Sequence, residues 1–127
     1  MMTHRQQRIS ELLHQELSLL IAAELADPRL EDALVSVTRV VVSPDLRNAR
    51  VEIEHALPSE RNGQVLAALR HAEGFLRHAL AENLNLRVVP ALSFHVDETE
   101  RRARRVDALL DALMAEAQSG KTTSQPD

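Results

Sequence analysis

Arg70, Gly74 and Arg77 stand at i, i+4 and i+7 within the stretch Val65 to Asn83, so on a 3.6-residue spiral they share one side, flanked by His71 and His78. Leu66, Leu69, Leu76, Ala79, Leu80 and Asn83 make the opposite, mostly apolar side. Glycine inside a helix costs roughly 1 kcal/mol against alanine, so Gly74 needs a compensating reason. Two present themselves: a kink, centred on Ala72, Glu73 and Gly74, or a place where something bulky, such as a phosphate backbone, must come close to the main chain. Both describe a surface that binds. The plainer alternative is a glycine tolerated where the helix packs closely on a neighbour.

Other chemistries find little footing. His71 and His78 lie seven residues apart, about 10 Å along a helix, too far to chelate one metal from the same helix. Glu52 and Glu54 could imitate a carboxylate pair, but their alternation fits the solvated face of a strand. Ser43 sits in turn chemistry with no nucleophile motif around it. No catalytic residue, metal ligand or cofactor is expected, and the chain is not read as an enzyme.

The net charge of −4 is unevenly spread. Residues 1–60 carry 6 Arg and 10 acids, residues 61–105 carry 8 Arg and 5 acids, and residues 106–127 carry 1 Lys and 4 acids. The middle block is therefore +3, which suits docking on a phosphate surface, because local charge sets the contact. Trp and Tyr are absent and Phe occurs only at Phe75 and Phe94, so stacking of bases on aromatic rings is disfavoured and any nucleic-acid binding should rest on backbone and shape. There is no Cys, the opening residues are too polar for a signal peptide, and no apolar run is long enough to span a membrane. A cytoplasmic protein without a membrane partner is expected.

The elements that must position these residues follow from periodicity. Ile9, Leu12, Leu13, Leu17, Leu20, Ile21 and Leu25 recur at spacings of three and four, predicting a helix from about His4 to Ala26 that Asp27-Pro28 ends. Ala33 to Val42 is dense in Val and Thr, and Ala49 to Leu57 alternates Val51, Ile53 and His55 against Arg50, Glu52 and Glu54. Ser43-Pro44-Asp45 between them is turn chemistry and predicts a hairpin, although both faces of its first strand carry Val, which leaves its buried face open. A polar link, Pro58 to Asn62, leads into the helix with Gly74. A third strand is expected over Leu86 to Val96, at an edge or bulged at Pro90, which cannot donate a ladder hydrogen bond. A last helix runs from about Thr99 to Ala117, with Val106, Leu109, Leu110 and Leu113 in register and Arg101, Arg102, Arg104 and Arg105 in its first turns. Residues 1–117 thus read as one domain and residues 118–127 as a disordered tail.

The order helix, strand, strand, helix, kink, helix, strand, then a C-terminal helix, is an α+β layer with helices packed on one face of a three-stranded sheet. It is also the order of the type II KH domain, an RNA-binding fold, but the GXXG loop of a standard KH module is missing and Ala72-Glu73-Gly74 stands in its place. With that replacement the chain resembles the ribosome-binding factor A family, bacterial small-subunit assembly factors whose KH-like domain has an interrupted Ala-X-Gly helix pair. Four segments agree in order: Asp27-Pro28-Arg29-Leu30; Val42-Ser43-Pro44-Asp45-Leu46 with Ala49-Arg50-Val51; Ala72-Glu73-Gly74-Phe75-Leu76-Arg77; and Leu86-Arg87-Val88-Val89-Pro90-Ala91-Leu92-Ser93-Phe94. Where relatives have a glycine after the last strand, this chain has Arg102-Ala103-Arg104-Arg105, which favours a regular helix from Thr99.

The resemblance implies a monomeric, non-catalytic factor that binds the free 30S subunit through 16S rRNA, promotes late folding and processing of that RNA, and is needed most in the cold. It implies that Arg70, Arg77 and Arg87 contact phosphates, that Gly74 permits close approach, and that Arg101, Arg102, Arg104 and Arg105 add a second contact. The alternative class is a protein-protein adaptor without direct RNA contact, suggested by the wide apolar surface of the first helix, Leu12, Leu13, Leu19, Leu20 and Ile21.

Overall fold

The computed structural model describes residues 2–123. Its elements are α1 (His4–Glu24), β1 (Ser36–Val42), β2 (Asn48–Glu54), α2 (Asn62–His71), α3 (Glu73–Leu84), β3 (Ala91–Val96) and α4 (Thr99–Thr123). The three strands form one sheet in the order β1-β2-β3, with β1 antiparallel to β2 and β3 parallel to β2. The fold is α+β and KH-like, with α1, α2 and α3 on one face of the sheet. Two compact units can be distinguished, one of residues 1–97 and one that begins at residue 98 and carries α4.

In the first unit, α1 starts in a capping box: the Thr3 hydroxyl accepts the Gln6 N–H, and the Gln6 side chain accepts the Thr3 N–H at 2.8 Å. Leu13, Leu17, Leu20 and Ile21 of α1 are buried with Val40, Val42, Val51 and Ile53 of the hairpin, Val65 and Leu69 of α2, Leu76 and Leu80 of α3, and Phe94 of β3. Two buried polar residues anchor the helix to the end of β1. Gln6 Nε2 donates to the Val42 carbonyl at 3.0 Å, and the Val42 N–H donates to Ser10 Oγ at 3.1 Å.

The hairpin forms as expected, and its turn is held by the Ser43 hydroxyl donating to Asp45 at 2.7 Å. Its first strand begins later than Ala33, because Leu34 lies at φ 48°, a left-handed backbone that cannot join a ladder. A bulge at Thr38 then shifts the register, so that Val37 is buried before it and Val40 and Val42 after it. The second strand stops at Glu54 because the next residue turns inward: buried His55 accepts the Leu57 N–H on Nδ1 and donates from Nε2 to Asn62 Oδ1 at 2.6 Å.

The third strand is also shorter than expected. It opens at Ala91, after Pro90, and the segment before it is out of phase, with Val89 buried and Val88 68% exposed. The expected helix over Val65 to Asn83 is two helices, broken at Ala72 (φ −85°, ψ 0°). α3 closes on Asn85 in the left-handed conformation, with the Leu86 N–H bonded to the Ala81 carbonyl at 3.0 Å.

In the second unit, α4 starts at Thr99 as the sequence suggests and runs past Ala117 to Thr123. The expected tail therefore falls on helix as far as Thr123, and residues 124–127 lie outside the described residues. The register of Val106, Leu109, Leu110 and Leu113 is helical, but each is more than half exposed.

Candidate nucleic-acid interface

Because β3 is an edge strand, alternate main-chain groups on its outer side have no strand partner, and the α2–α3 pair supplies them. Glu73, the first residue of α3, accepts the Leu92 N–H at 2.8 Å. One turn on, Arg77 Nη2 donates to the Val89 carbonyl at 2.8 Å. Both side chains come from α3, which begins directly after the break at Ala72. Ala72 keeps helical bonding on each side of the break: its N–H reaches the Ala68 and Leu69 carbonyls at 3.1 Å, and its own carbonyl accepts the Leu76 N–H at 2.9 Å.

Arg70, Gly74 and Arg77, the face read from the sequence, are all exposed, Arg70 on α2 and the other two on α3 beyond the break. Arg70 lies in the last turn of α2, where the helix dipole favours a cation, and makes no ion pair among the described residues. Its charge reaches β3. The His95 imidazole is held below its usual range, chiefly by burial and then by Arg50, with Arg70 adding to the effect and Glu52 opposing it. Arg77 is partly committed, one of its five donors being taken by Val89.

Gly74 departs from the expected account. The break is centred on Ala72, two residues earlier, Gly74 has an ordinary negative φ, and a Cβ built on it would meet nothing within 4 Å. Neither the kink nor internal packing requires glycine there. Close packing on a neighbour is thereby removed as its explanation. Phe75 beside it is 48% exposed, in a hollow with His71, Ala72 and Pro28.

Arg87 is not on this face. It follows α3 in the linker to β3 and lines a separate groove with Arg5 and Arg47, two residues that sequence periodicity did not single out. The linker joins the two places, since the Val89 carbonyl that holds Arg77 lies between Val88 and Pro90 of the groove wall. Arg101, Arg102, Arg104 and Arg105 belong to the second unit. Arg102 approaches Glu98 at 3.9 Å, one turn back, and Arg105 is exposed.

The other groups considered in the sequence make local contacts. His78 pairs with Glu82 at 3.1 Å, Glu52 with Arg50 at 3.1 Å, and Ser43 with Asp45. Among the described residues no three His, Asp or Glu side chains are grouped as a metal site, and no helix is long and apolar enough to cross a membrane.

Comparison with known proteins gives a consistent result. Residues 5–110 match the family model described as ribosome-binding factor A. The chain is 39% identical over 118 residues to ribosome-binding factor A of Nitrosococcus oceani, covering 93% of this chain and 91% of that protein. It is similar to the crystal structure of ribosome-binding factor A from Thermus thermophilus, with a TM-score of 0.61 and 34% identity over 72% of this chain and 94% of that one. A Thermus thermophilus ribosome binding factor A homology model, fitted into the cryo-EM map of a 30S complex, matches at TM-score 0.55 and 27% identity, covering 77% of this chain and 97% of that one.

Proposed function

The chain belongs to the ribosome-binding factor A family, and on that premise we propose that it is a non-catalytic assembly factor that binds the free 30S subunit through 16S rRNA. It promotes late folding and processing of that RNA in the cytoplasm and acts as a monomer. Demand for it rises in the cold, where misfolded RNA helices escape slowly.

The observation that carries this reading is the exposed Arg70–Gly74–Arg77 edge on a chain whose net charge is −4. Arg70 in the last turn of α2 and Arg77 in α3 flank the helix break and supply two cations to phosphates of an RNA strand. Gly74, for which the fold supplies no internal need, lets the phosphate backbone come close to the helix. Contacts of this kind give affinity and register but little sequence information, so selectivity comes from RNA shape. Arg101, Arg102, Arg104 and Arg105 add a second contact from α4. The cryo-EM fit of the Thermus thermophilus relative within a 30S complex supports the choice of partner.

Sedimentation of tagged protein with free 30S, 70S and polysomes tests the reading. Enrichment on free small subunits is expected, and co-migration with 70S particles or polysomes alone would overturn it. The second reading is a protein-protein adaptor, which the sequence places on the apolar surface of α1. Leu13, Leu20 and Ile21 there are buried in the core, and what favours this reading is the exposed apolar stripe of α4. The two separate by salt: RNA docking weakens steeply as salt rises, and an apolar contact changes little.

A further inference from the structure

Three arginines from three different elements surround one groove of about 390 Å³: Arg5 at the start of α1, Arg47 in the β1–β2 loop, and Arg87 in the α3–β3 linker. Its apolar floor includes Ile9, Leu46 and Val88. The groove has one acid, Asp45, so three cations there face a single anion. Asp45 Oδ1 accepts the Ser43 hydroxyl at 2.7 Å and the Arg47 N–H at 3.0 Å, and these bonds, Ser43 first, hold its pKa below the ordinary carboxylate value. None of the three guanidinium groups is in an ion pair among the described residues.

Two local rules are broken at this groove. Arg5 is a cation in the first turn of a helix that has no acid there, against the helix dipole. Leu46, a bulky residue, is held at φ 62°, a left-handed conformation costing on the order of 1–2 kcal/mol. Leu46 is held there by its own turn, its N–H donating to the Ser43 carbonyl at 2.9 Å, whereas Arg5 has no acid in its turn to offset it.

The walls are also fixed in advance. Gln6, next to Arg5, is bonded to Val42; the Arg47 carbonyl accepts the Ala91 N–H at 2.8 Å; and Leu86, next to Arg87, is bonded to Ala81. A groove with such walls need not be ordered on binding.

We propose that this groove is an RNA contact that takes the sugar–phosphate backbone of an unpaired strand, its phosphates spanning Arg5, Arg47 and Arg87 and its riboses lying on the Ile9–Leu46–Val88 floor. The proposal rests on the reading of the chain as a 30S rRNA binder and extends its RNA path. Val89 connects the groove wall to Arg77, so one strand can follow the Arg70–Arg77 edge and continue into the groove. Planar guanidinium forks match phosphate oxygens, and with no aromatic side chain in the lining the groove holds backbone without reading bases. An acidic peptide would satisfy the charges but would need a run of free main-chain groups to add to. Those of the adjoining wall are taken, the Ala91 N–H by Arg47, the Leu92 N–H by Glu73 and the Val89 carbonyl by Arg77.

The test uses the full chain with two probes, purified free 30S subunits and a fluorescein-labelled oligouridine, and measures affinity against salt. Arg5→Gln, Arg47→Gln and Arg87→Gln should each lower the slope of log affinity against log salt by about 0.7, and the triple variant by about 2, on either probe. Arg39→Gln, on the open face of the sheet, should leave the slope unchanged. Val88→Asp, which adds an anion at an exposed position outside the core, should weaken oligouridine binding without affecting the fold, so the proposal stays testable if the triple variant is unstable. Oligouridine binding that is absent from the wild-type protein, or whose slope the triple variant leaves unchanged, overturns the proposal. Loss of 30S affinity with oligouridine binding intact would give the groove to a protein partner and also overturns it. Should the wild-type protein fail to bind 30S while the oligouridine results hold, the assembly reading fails and the groove stands.

Discussion

At Gly74 the fold and the function pull in opposite directions, and a single methyl group separates them. A Cβ there meets no atom, and alanine is the better helix former by roughly 1 kcal/mol, so Gly74→Ala should raise the midpoint of thermal unfolding. If, as proposed, an RNA backbone approaches Gly74, the same methyl group obstructs it and 30S affinity should fall. A variant that is more stable and binds normally would show that glycine has no function there. Arg77 carries a mixed role that sequence spacing could not reveal, because helical periodicity gives the face of a side chain but not its partner. Arg77→Gln should lose the bond to the Val89 carbonyl, a loss of about 1 kcal/mol in denaturant unfolding, together with one phosphate contact. Arg70→Gln, with no ion pair to lose, should lower the salt slope of 30S binding and leave stability unchanged. If both variants bind with wild-type salt dependence, the edge of β3 is not an RNA site.

At the scale of elements, long periodic segments were legible in the sequence, and interruptions made by one residue were not. The leucine spacing of α1 and the alternation of Val51, Ile53 and His55 predict what is observed. The buried face of β1 was unreadable because the Thr38 bulge moves burial from Val37 to Val40 and Val42, so valines on both apparent faces are core residues. Pro90 signalled an interruption of β3, and in the structure it precedes the strand, because a residue without an N–H fits before the ladder better than within it. Glu73 has a role that only tertiary contact reveals, capping the Leu92 N–H of the edge strand. Glu73→Ala should destabilise the chain by about 1 kcal/mol and speed amide exchange at Leu92, and Glu73→Gln, which keeps an acceptor oxygen, should do less. The turn after α1 gives a pH signature. The Arg29 guanidinium at 2.7 Å and the Arg29 N–H hold the Asp27 carboxyl down at about 2, against an ordinary 3.8. Since the folded-state value is the lower one, the contribution of Asp27 to stability is present above about pH 4 and disappears as pH falls toward about 2. Asp27→Asn should remove that part of the acid dependence, read from unfolding curves across the interval.

For the whole molecule, the sequence did not show where the compact core ends. The apolar register of α4 resembles that of a core helix, but every residue of the core cluster precedes residue 98. Residues 1–97 carry 10 Arg and 13 acids, and residues 98–127 carry 5 Arg and Lys and 6 acids, so neither unit is basic overall and RNA binding by either must come from local clusters. A chain ending at Asp97 should therefore keep its β-sheet circular dichroism and melt cooperatively near the temperature of the full chain. A large fall in melting temperature would show that α4 completes the core. The same truncation weighs the α4 arginines. At about 100° per residue, Arg101, Arg104 and Arg105 fall within an arc of about 100° and can face one RNA surface, with Arg102 about 100° from Arg101 on the other side. If they form the second contact, replacing all four by Gln, or removing residues 98–127, should lower the salt slope of 30S binding by about 2.1 to 2.7, three contacts' worth. If instead they only balance neighbouring acids, as Arg102 does with Glu98 at 3.9 Å, those exposed pairs are worth about 0 to 1 kcal/mol each and 30S affinity should be unchanged. Equal slopes for the full chain, the quadruple variant and the truncated chain would confine the RNA path to the first unit, to the edge of β3 and the groove that continues from it.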